Sequence, residues 1–183
     1  MWQPDGTIYN FADEPTYGNV TDVLVGADGL LWVNSQAGDN VIAKGAIQRL
    51  DDQGTTALAD DTWGQLPLPY AGNLYLPFSS LERTPKGDLW VAVNLSHLFA
   101  RWHGDTWIEY QLPPLADTRQ IVDIFAPDEN HTWFAFTEPL VGDVRSQGIV
   151  ALDDRGTPTD LSDDVWTEYP LVTPDGTGGG GGC

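Results

Sequence analysis

Cysteine and long apolar runs are scarce in this 183-residue sequence. Its single cysteine, Cys183, is the last residue, which excludes an internal disulfide and a cysteine-ligated metal site. No apolar run approaches the roughly 18 residues of a membrane-spanning helix, and Met1 is not followed by a basic and then apolar leader. We therefore expect no insertion into a membrane. Since no signal peptide is visible, either the protein stays inside the cell or the sequence is a mature region with a start methionine.

Basic residues are scarce as well, with 8 Lys and Arg against 27 Asp and Glu and a formal net charge of -19. A surface of this charge repels nucleic acids and anionic lipids, which excludes both as partners. Most of the acids are Asp, which favours turns over helices, and no segment shows sustained helical spacing. The sequence therefore predicts an all-β protein with many tight turns.

Tryptophan is abundant, and its positions reveal an internal repeat. The segments "DGLLWVNS", "GDLWVAVN" and "NHTWFAFT" have their central tryptophans at Trp32, Trp90 and Trp133. An apolar segment precedes each of them, with a polar residue ten positions before the tryptophan: Asp22, Ser80 and Asp123. A third apolar segment follows, and then a fourth that contains a second tryptophan: Trp63, Trp107 and Trp166. Each unit therefore reads as four short strands separated by turn residues.

Four-stranded units that recur about every 40–50 residues predict the blades of a β-propeller. The three blades are assigned to residues 20–69, 73–114 and 119–171. Residues 1–19 are predicted to be a linker together with an orphan strand at 4–11, which belongs in the fourth place of a neighbouring blade. Residues 172–183, which end in "GGGGGC", are predicted to be a flexible tail.

The tryptophans of the repeat are predicted to be structural. Adjacent blades of a propeller diverge away from its axis, and a large ring fills the wedge between them and buries a large area. The predicted structural set comprises the first and second tryptophan of each unit: Trp32, Trp90, Trp133, Trp63, Trp107 and Trp166.

The repeat pattern V-x-D-[VI]-x-x-x-x-D-G-x-L-W-V, followed by W-x-x-Y-x-L-P, resembles the repeats of two families. One is the two-component-regulator propeller, the sensor region of bacterial hybrid kinases, and the other is the streptogramin-lyase-like propeller. The resemblance covers residues 2–171 and implies the propeller fold. The lyase-like family also implies catalytic histidines and a divalent metal on one face, but no residue of this chain is assigned to those motifs.

Three histidines could carry such chemistry, but each occupies a different point of its repeat. His97 begins a third strand, His103 lies in the turn after Trp102, and His131 lies just before Trp133. Since these positions do not converge on one face, we predict surface or turn histidines and no catalytic residue.

Polar residues at matching repeat positions are the candidates for ligand binding. The innermost strand of each blade lines the central channel, and loops gather at the channel mouths. The candidates on that strand and after the tryptophan strand are Asp22, Ser80, Asp123, Asn34, Asn94 and Thr137. The alternative is that Asp22 and Asp123 accept hydrogen bonds from backbone amides of a neighbouring blade.

Pairs of acids flank the longer turns of the first and third units, and they are weak candidates for a calcium site. The pairs are Asp51 and Asp52, Asp60 and Asp61, Asp153 and Asp154, and Asp163 and Asp164. Ca²⁺ takes six to eight oxygen ligands, which such loops could supply. Ordinary turn chemistry explains the same pairs, and no D-x-D-x-D-G run is present. No cofactor other than this possible calcium is predicted.

The sequence favours a non-enzymatic propeller module for binding or assembly, extracellular or periplasmic and bacterial. It contains no nucleophile–base pair, phosphate loop or nucleotide motif. The alternatives are a metal-dependent enzyme of the lyase or lactonase type and a structural subunit of a head-to-tail polymer.

Three blades are too few for a closed ring, because propellers usually close with about four to eight. The two terminal faces are therefore expected to be apolar and open. We expect them to bind a second copy of the chain or further propeller blades, and the channel face to bind a small molecule or a protein of unknown identity.

Overall fold

The computed structural model describes residues 19–26, 29–37, 44–55, 60–70, 78–93, 96–112, 119–137 and 147–170. Within these ranges the secondary structure consists of strands and turns: β1 Asn19–Val25, β2 Leu31–Ala37, β3 Lys44–Asp51, β4 Thr62–Gln65, β5 Phe78–Arg83, β6 Leu89–Val93, β7 Leu98–His103, β8 Thr106–Gln111, β9 Gln120–Phe125, β10 His131–Thr137, β11 Gln147–Asp153 and β12 Val165–Pro170. No helix of these described ranges has the length and apolar character needed to cross a membrane.

The strands form three antiparallel sheets of four strands each, and every sheet follows chain order. The first sheet is β1-β2-β3-β4, the second is β5-β6-β7-β8 and the third is β9-β10-β11-β12. Tight turns allow this up-and-down order; Gly104, for example, has φ 60 in the turn between β7 and β8. The predicted fold class is confirmed: the protein is all-β, a propeller-like segment of about three blades.

The same strand register is repeated in all three sheets. The first strand pairs with the second through equivalent residues: Val23 with Val33, Leu81 with Val91, and Ile124 with Phe134. In each sheet the pairing also skips one residue of the first strand, at Thr21, Ser79 and Val122. Because side chains alternate along a strand, a common register gives each sheet two equivalent faces. We call the face that includes the repeat tryptophan the forward face and the opposite one the backward face.

The first strands β1, β5 and β9 are the inner strands, and β5 lies beside both of the others. The forward face of each of the first two sheets therefore packs on the backward face of the next. One apolar cluster joins the first sheet to the second: Trp32, Ile47, Phe78, Leu81, Leu89, Val91, Val93 and Ala100. Another joins the second to the third and includes Trp90, Ala92, Phe99, Tyr110, Ile121, Ile124, Phe134, Phe136, Val150 and Leu152. The middle sheet is thus covered on both faces, which no single sheet could achieve alone.

The tryptophans of the repeat differ in their surroundings. Trp90 has no exposed surface and Trp32 is 5% exposed, and each lies between two sheets, as predicted for an inter-blade wedge. Trp133 is half-buried on the forward face of the third sheet, where no further sheet follows in the described part of the chain. The second tryptophans, Trp63, Trp107 and Trp166, are half-buried on the outermost strands.

The two terminal faces are not alike, and the expectation that both are open needs a correction. On the backward face of the first sheet, Val33 is 5% exposed and Leu50 is 1% exposed, so this face is already covered at β2 and β3. The inner strand β1 is not covered in the same way, because Val23 is 53% exposed and Val25 is 67% exposed.

Several sequence-based expectations concern residues outside the described ranges. They are the orphan strand at 4–11, the tail at 172–183 with Cys183, and the candidate ligand residue Asn94.

Candidate interaction site

The polar residues of the inner strands connect neighbouring sheets. The Oδ2 atom of Asp22 accepts a hydrogen bond of 2.7 Å from the backbone N–H of Leu81, and its Oδ1 atom accepts one of 2.8 Å from the N–H of Val23. The first bond joins β1 to β5, and bonds from amides to a carboxylate are stronger than neutral ones. Asp22 therefore makes the backbone contact that was considered as the alternative to a ligand role.

Asp123 occupies the equivalent position of the third sheet and accepts two hydrogen bonds at one carboxylate oxygen. Its Oδ1 atom accepts hydrogen bonds from the Ser80 hydroxyl, at 3.3 Å, and from the N–H of Ile124, at 3.0 Å. Its carboxylate is exposed, whereas Ser80 is buried between the sheets. The structure thus brings Asp22, Ser80 and Asp123 to three adjacent strands, as their common repeat position predicts.

Two other candidates for ligand binding lie in the described ranges, and Asn34 pairs directly with Asp22 across β1 and β2. Asn34 has no exposed surface and lies on the forward face of the first sheet, so a ligand cannot reach it in this conformation. Thr137 is half-buried at the end of β10, where it pairs with Gln120 and Gln147 of the adjacent strands.

An apolar cleft of about 240 Å³ opens on the forward face of the third sheet. The residues that line it are Asp123, Ile124, Phe125, Trp133, Ala135 and Ile149. Phe125 is 60% exposed, and the ring of Tyr169, which is 47% exposed, lies 5.4 Å from that of Trp133. A contiguous patch of exposed apolar and aromatic surface is typical of an interaction site.

Among the described residues, arginine side chains lie close to the rings of the two covered tryptophans, Trp32 and Trp90. The guanidinium of Arg101 lies 5.3 Å from the ring of Trp90, and those of Arg49 and Arg83 lie 5.9 Å and 5.7 Å from the ring of Trp32. Arg49 and Arg101 pair across the strand with their tryptophans, and Ala151 pairs with Trp133 in the same way. The sequence analysis missed this feature. The aligned segments "AIQRL", "LFARW" and "GIVAL" place Arg49, Arg101 and Ala151 at the same repeat position, and two arginines at one position are notable in a chain with only 8 basic residues.

Arg101 is also the centre of a buried polar network between the second and third sheets. Its side chain is 3% exposed; Nε donates to Asp88 at 2.7 Å, Nη1 to the buried Asp154, and Nη2 to the carbonyl of Glu129 at 3.2 Å. Nδ1 of His103 lies 2.8 Å from the same Asp88 oxygen. A guanidinium satisfied in this way can be buried, and its removal leaves the carboxylates of Asp88 and Asp154 without their counter-charge.

Asp164 lies near this network and is held in a less favourable environment. Its Oδ1 atom is buried and receives no hydrogen bond from the described residues. Burial, together with the neighbouring carboxylates of Asp154 and Asp163, raises the pKa of Asp164 to about 6. The ionised form of Asp164 is therefore disfavoured in the folded protein.

This environment leads to a prediction on pH dependence. A raised pKa in the folded state stabilises the fold at low pH, and this contribution is lost as the pH rises from about 4 through about 6. Asp164→Asn should therefore raise the melting temperature relative to wild type at pH 7, with the difference shrinking towards pH 4. Asp105→Asn, in an exposed turn, is the charge-matched control. A gain for Asp164→Asn that is equal at both pH values would contradict this account.

The acidic turns that were candidates for calcium have the same geometry in the first and third units. Asp51 and Asp52 accept hydrogen bonds of 2.9 Å from the backbone N–H groups of Gln53 and Gly54. In the third unit the acceptors are Asp153 and Asp154, the donors are Arg155 and Gly156, and the distances are 2.9 Å and 2.8 Å. Asp60 and Asp163 accept hydrogen bonds from the hydroxyls of Thr55 and Thr157. Asp61 and Asp164 are the next residues in the same turns. The bonds to backbone N–H groups two residues further on are those of Asx turns, and the threonine hydroxyls bridge the two ends of each loop. Within the described ranges, no three His, Cys, Asp or Glu side chains are grouped so as to hold a metal ion.

The histidines lie apart from one another. Nδ1 of His131 lies 2.9 Å from Asp128 in the turn before β10, His103 contacts Asp88, and the carbonyl of His97 accepts the N–H of Leu112. They sit in separate local environments. Two positions differ from the sequence-based expectation, because β7 begins at Leu98 and not at His97, and His103 is its last residue and does not lie in the following turn.

No protein-family model and no curated protein matches the chain. Its fold is similar to a solved structure of PorZ, described as an essential bacterial surface component of the type-IX secretion system of Porphyromonas gingivalis, with 15% sequence identity and a TM-score of 0.51. The similarity covers 92% of this chain and 30% of the PorZ chain. At this level of identity the similarity concerns the fold.

Proposed function

We propose that this chain is a non-enzymatic binding and assembly module, a propeller segment that is completed by a protein sheet packed on the forward face of the third sheet. The observation that carries the proposal is the position of Trp133. Its equivalents Trp32 and Trp90 are each covered by a following sheet, whereas Trp133 lines an open cleft. Repeat proteins stack their units because one unit cannot bury its own apolar face.

The proposal includes a location outside the bacterial cytoplasm, at the cell surface or in the periplasm. Two observations support this location. The repeat pattern resembles that of the sensor propellers of bacterial hybrid kinases, and PorZ, whose fold is similar, is a bacterial surface component. A role in catalysis is not favoured by the arrangement of side chains, because the histidines of the described ranges lie in separate environments.

A dye that fluoresces on apolar surfaces tests the open face. At concentrations where light scattering gives the mass of one chain, 20.0 kDa, the wild-type protein should bind the dye. Trp133→Asp should reduce the fluorescence without changing the circular dichroism, because the substituted side chain faces solvent. Thr106→Asp, at an exposed position of β8, should leave dye binding unchanged. If the dye does not bind, or if Trp133→Asp does not alter its binding, the face is covered within the chain and the proposal fails.

A further inference from the structure

The exposed apolar side chains of this protein are concentrated at the two ends of the stack of sheets. Within the described ranges, the large ones lie on β1 or in the third unit: Val20, Val23, Val25, Val122, Phe125, Leu161, Val165 and Tyr169. None belongs to the middle sheet, which has a neighbour on each face. The apolar exposure therefore follows from missing neighbours and not from a generally apolar surface.

The two joints inside the chain show what covers a forward face. The forward face of the first sheet, with Trp32, is covered by Leu81 of the next inner strand, and the forward face of the second, with Trp90, is covered by Ile124. Leu81 is the residue after Ser80, and Ile124 is the residue after Asp123, so both occupy the same position of their inner strands. The fitting occupant is therefore an inner strand of this repeat, with an aliphatic side chain at that position.

The chain itself carries such a strand with a free surface. Val23 is the repeat equivalent of Leu81 and Ile124, since all three pair in the same register with the second strand. Val23 is 53% exposed, so one copy offers both halves of a further joint. We infer that the forward face of the third sheet binds β1 of a second copy, head to tail, with Val23 of that copy in the cleft beside Trp133. This inference rests on the proposed function.

Such a joint would be narrower than the internal ones. Val33 and Leu50 on the backward face of the first sheet are already buried, so contact is made through the inner strand β1. Inner strands are also the elements that meet in both internal joints. A head-to-tail contact of this kind closes a ring of two chains if the rotation allows, and otherwise extends into a filament.

The new joint differs from the internal ones in its polar residues. In the chain, the Ser80 hydroxyl lies between the second and third sheets and donates to Asp123. In a head-to-tail joint, Asp123 would stand where Ser80 stands, facing Asp22 of the second copy. Two carboxylates in this position repel each other at neutral pH, which weakens the joint without preventing it.

Complementation between two variants tests the inference. Trp133→Asp removes the forward half of the joint and Val23→Asp removes the inner-strand half, and both side chains are at least partly exposed, so the fold should persist. In light scattering coupled to size exclusion, the wild type should associate and each variant alone should remain at 20.0 kDa. An equimolar mixture should contain a two-chain species, because it retains one intact joint. Each variant should weaken association by roughly tenfold or more.

Two further variants sharpen the test. Asp123→Ser recreates the polar pair of the internal joint and should tighten association several-fold, whereas Thr62→Asp on the outer strand β4 should leave it unchanged. The inference is overturned if Val23→Asp still associates, if the mixture stays monomeric, or if Asp123→Ser does not tighten association. A wild-type chain that is monomeric at all concentrations but binds the apolar dye also overturns it, and leaves the proposed function standing.

Discussion

Trp90→Ala should lower the free energy of unfolding by about 3–5 kcal/mol, the usual loss for truncation of a buried large aromatic side chain. Trp90 has no exposed surface and packs against the rings of Tyr110 at 5.2 Å and Phe134 at 5.7 Å, with Arg101 at 5.3 Å from its own ring. The substitution therefore leaves a cavity between the second and third sheets. Denaturant unfolding followed by circular dichroism measures the loss.

Trp133→Ala is the matched control for Trp90→Ala. The two tryptophans occupy the same repeat position, but Trp133 is half-buried on an open face and leaves no closed cavity when truncated. The loss of stability in Trp133→Ala should therefore be clearly smaller than that in Trp90→Ala. Equal losses for the two variants would show that the forward face of the third sheet is covered within one chain, and an unchanged stability of Trp90→Ala would exclude its role between the sheets.

Arg101→Met should also destabilise the protein by about 3–5 kcal/mol at neutral pH, because it leaves a buried carboxylate without its counter-charge. Asp154 is 1% exposed and Asp88 is 16% exposed, and both depend on the guanidinium of Arg101. Methionine keeps much of the volume and apolar contact of arginine, so the loss reports on the charge and its hydrogen bonds. Chemical unfolding at pH 7 measures the effect.

A second substitution separates the charge from the packing in this network. Asp154→Asn in the Arg101→Met background should recover part of the lost stability, because it removes the uncompensated charge. Arg155→Met is the control: Arg155 is 55% exposed and lies 3.4 Å from Asp153, so its loss should stay within about 0.5 kcal/mol. If Arg101→Met behaves like Arg155→Met, the network does not hold the second and third sheets together.

Part of the interaction site could be read from the repeat. The equal spacing of Asp22, Ser80 and Asp123 from their tryptophans placed them on equivalent strands, and the structure brings them together. The aligned arginines Arg49 and Arg101 carried a further signal that the sequence analysis did not use. The count of three blades predicted open terminal faces, and the cleft beside Trp133 lies on one of them. It did not predict that the opposite terminal face is covered at β2 and β3, where Val33 and Leu50 are buried.

The sequence by itself determined the strands, the turns and the four-strand units, because alternation of apolar residues and turn chemistry act between near neighbours in the chain. Only the tertiary structure decided that the two terminal faces differ, with Trp133 on an open face and Val33 and Leu50 buried at the other end. It also decided that Asp22 bonds to Leu81, 59 residues away, and Arg101 to Asp154, 53 residues away. These outcomes depend on whether a neighbouring sheet is present and how it is oriented, and no local pattern of residues encodes that.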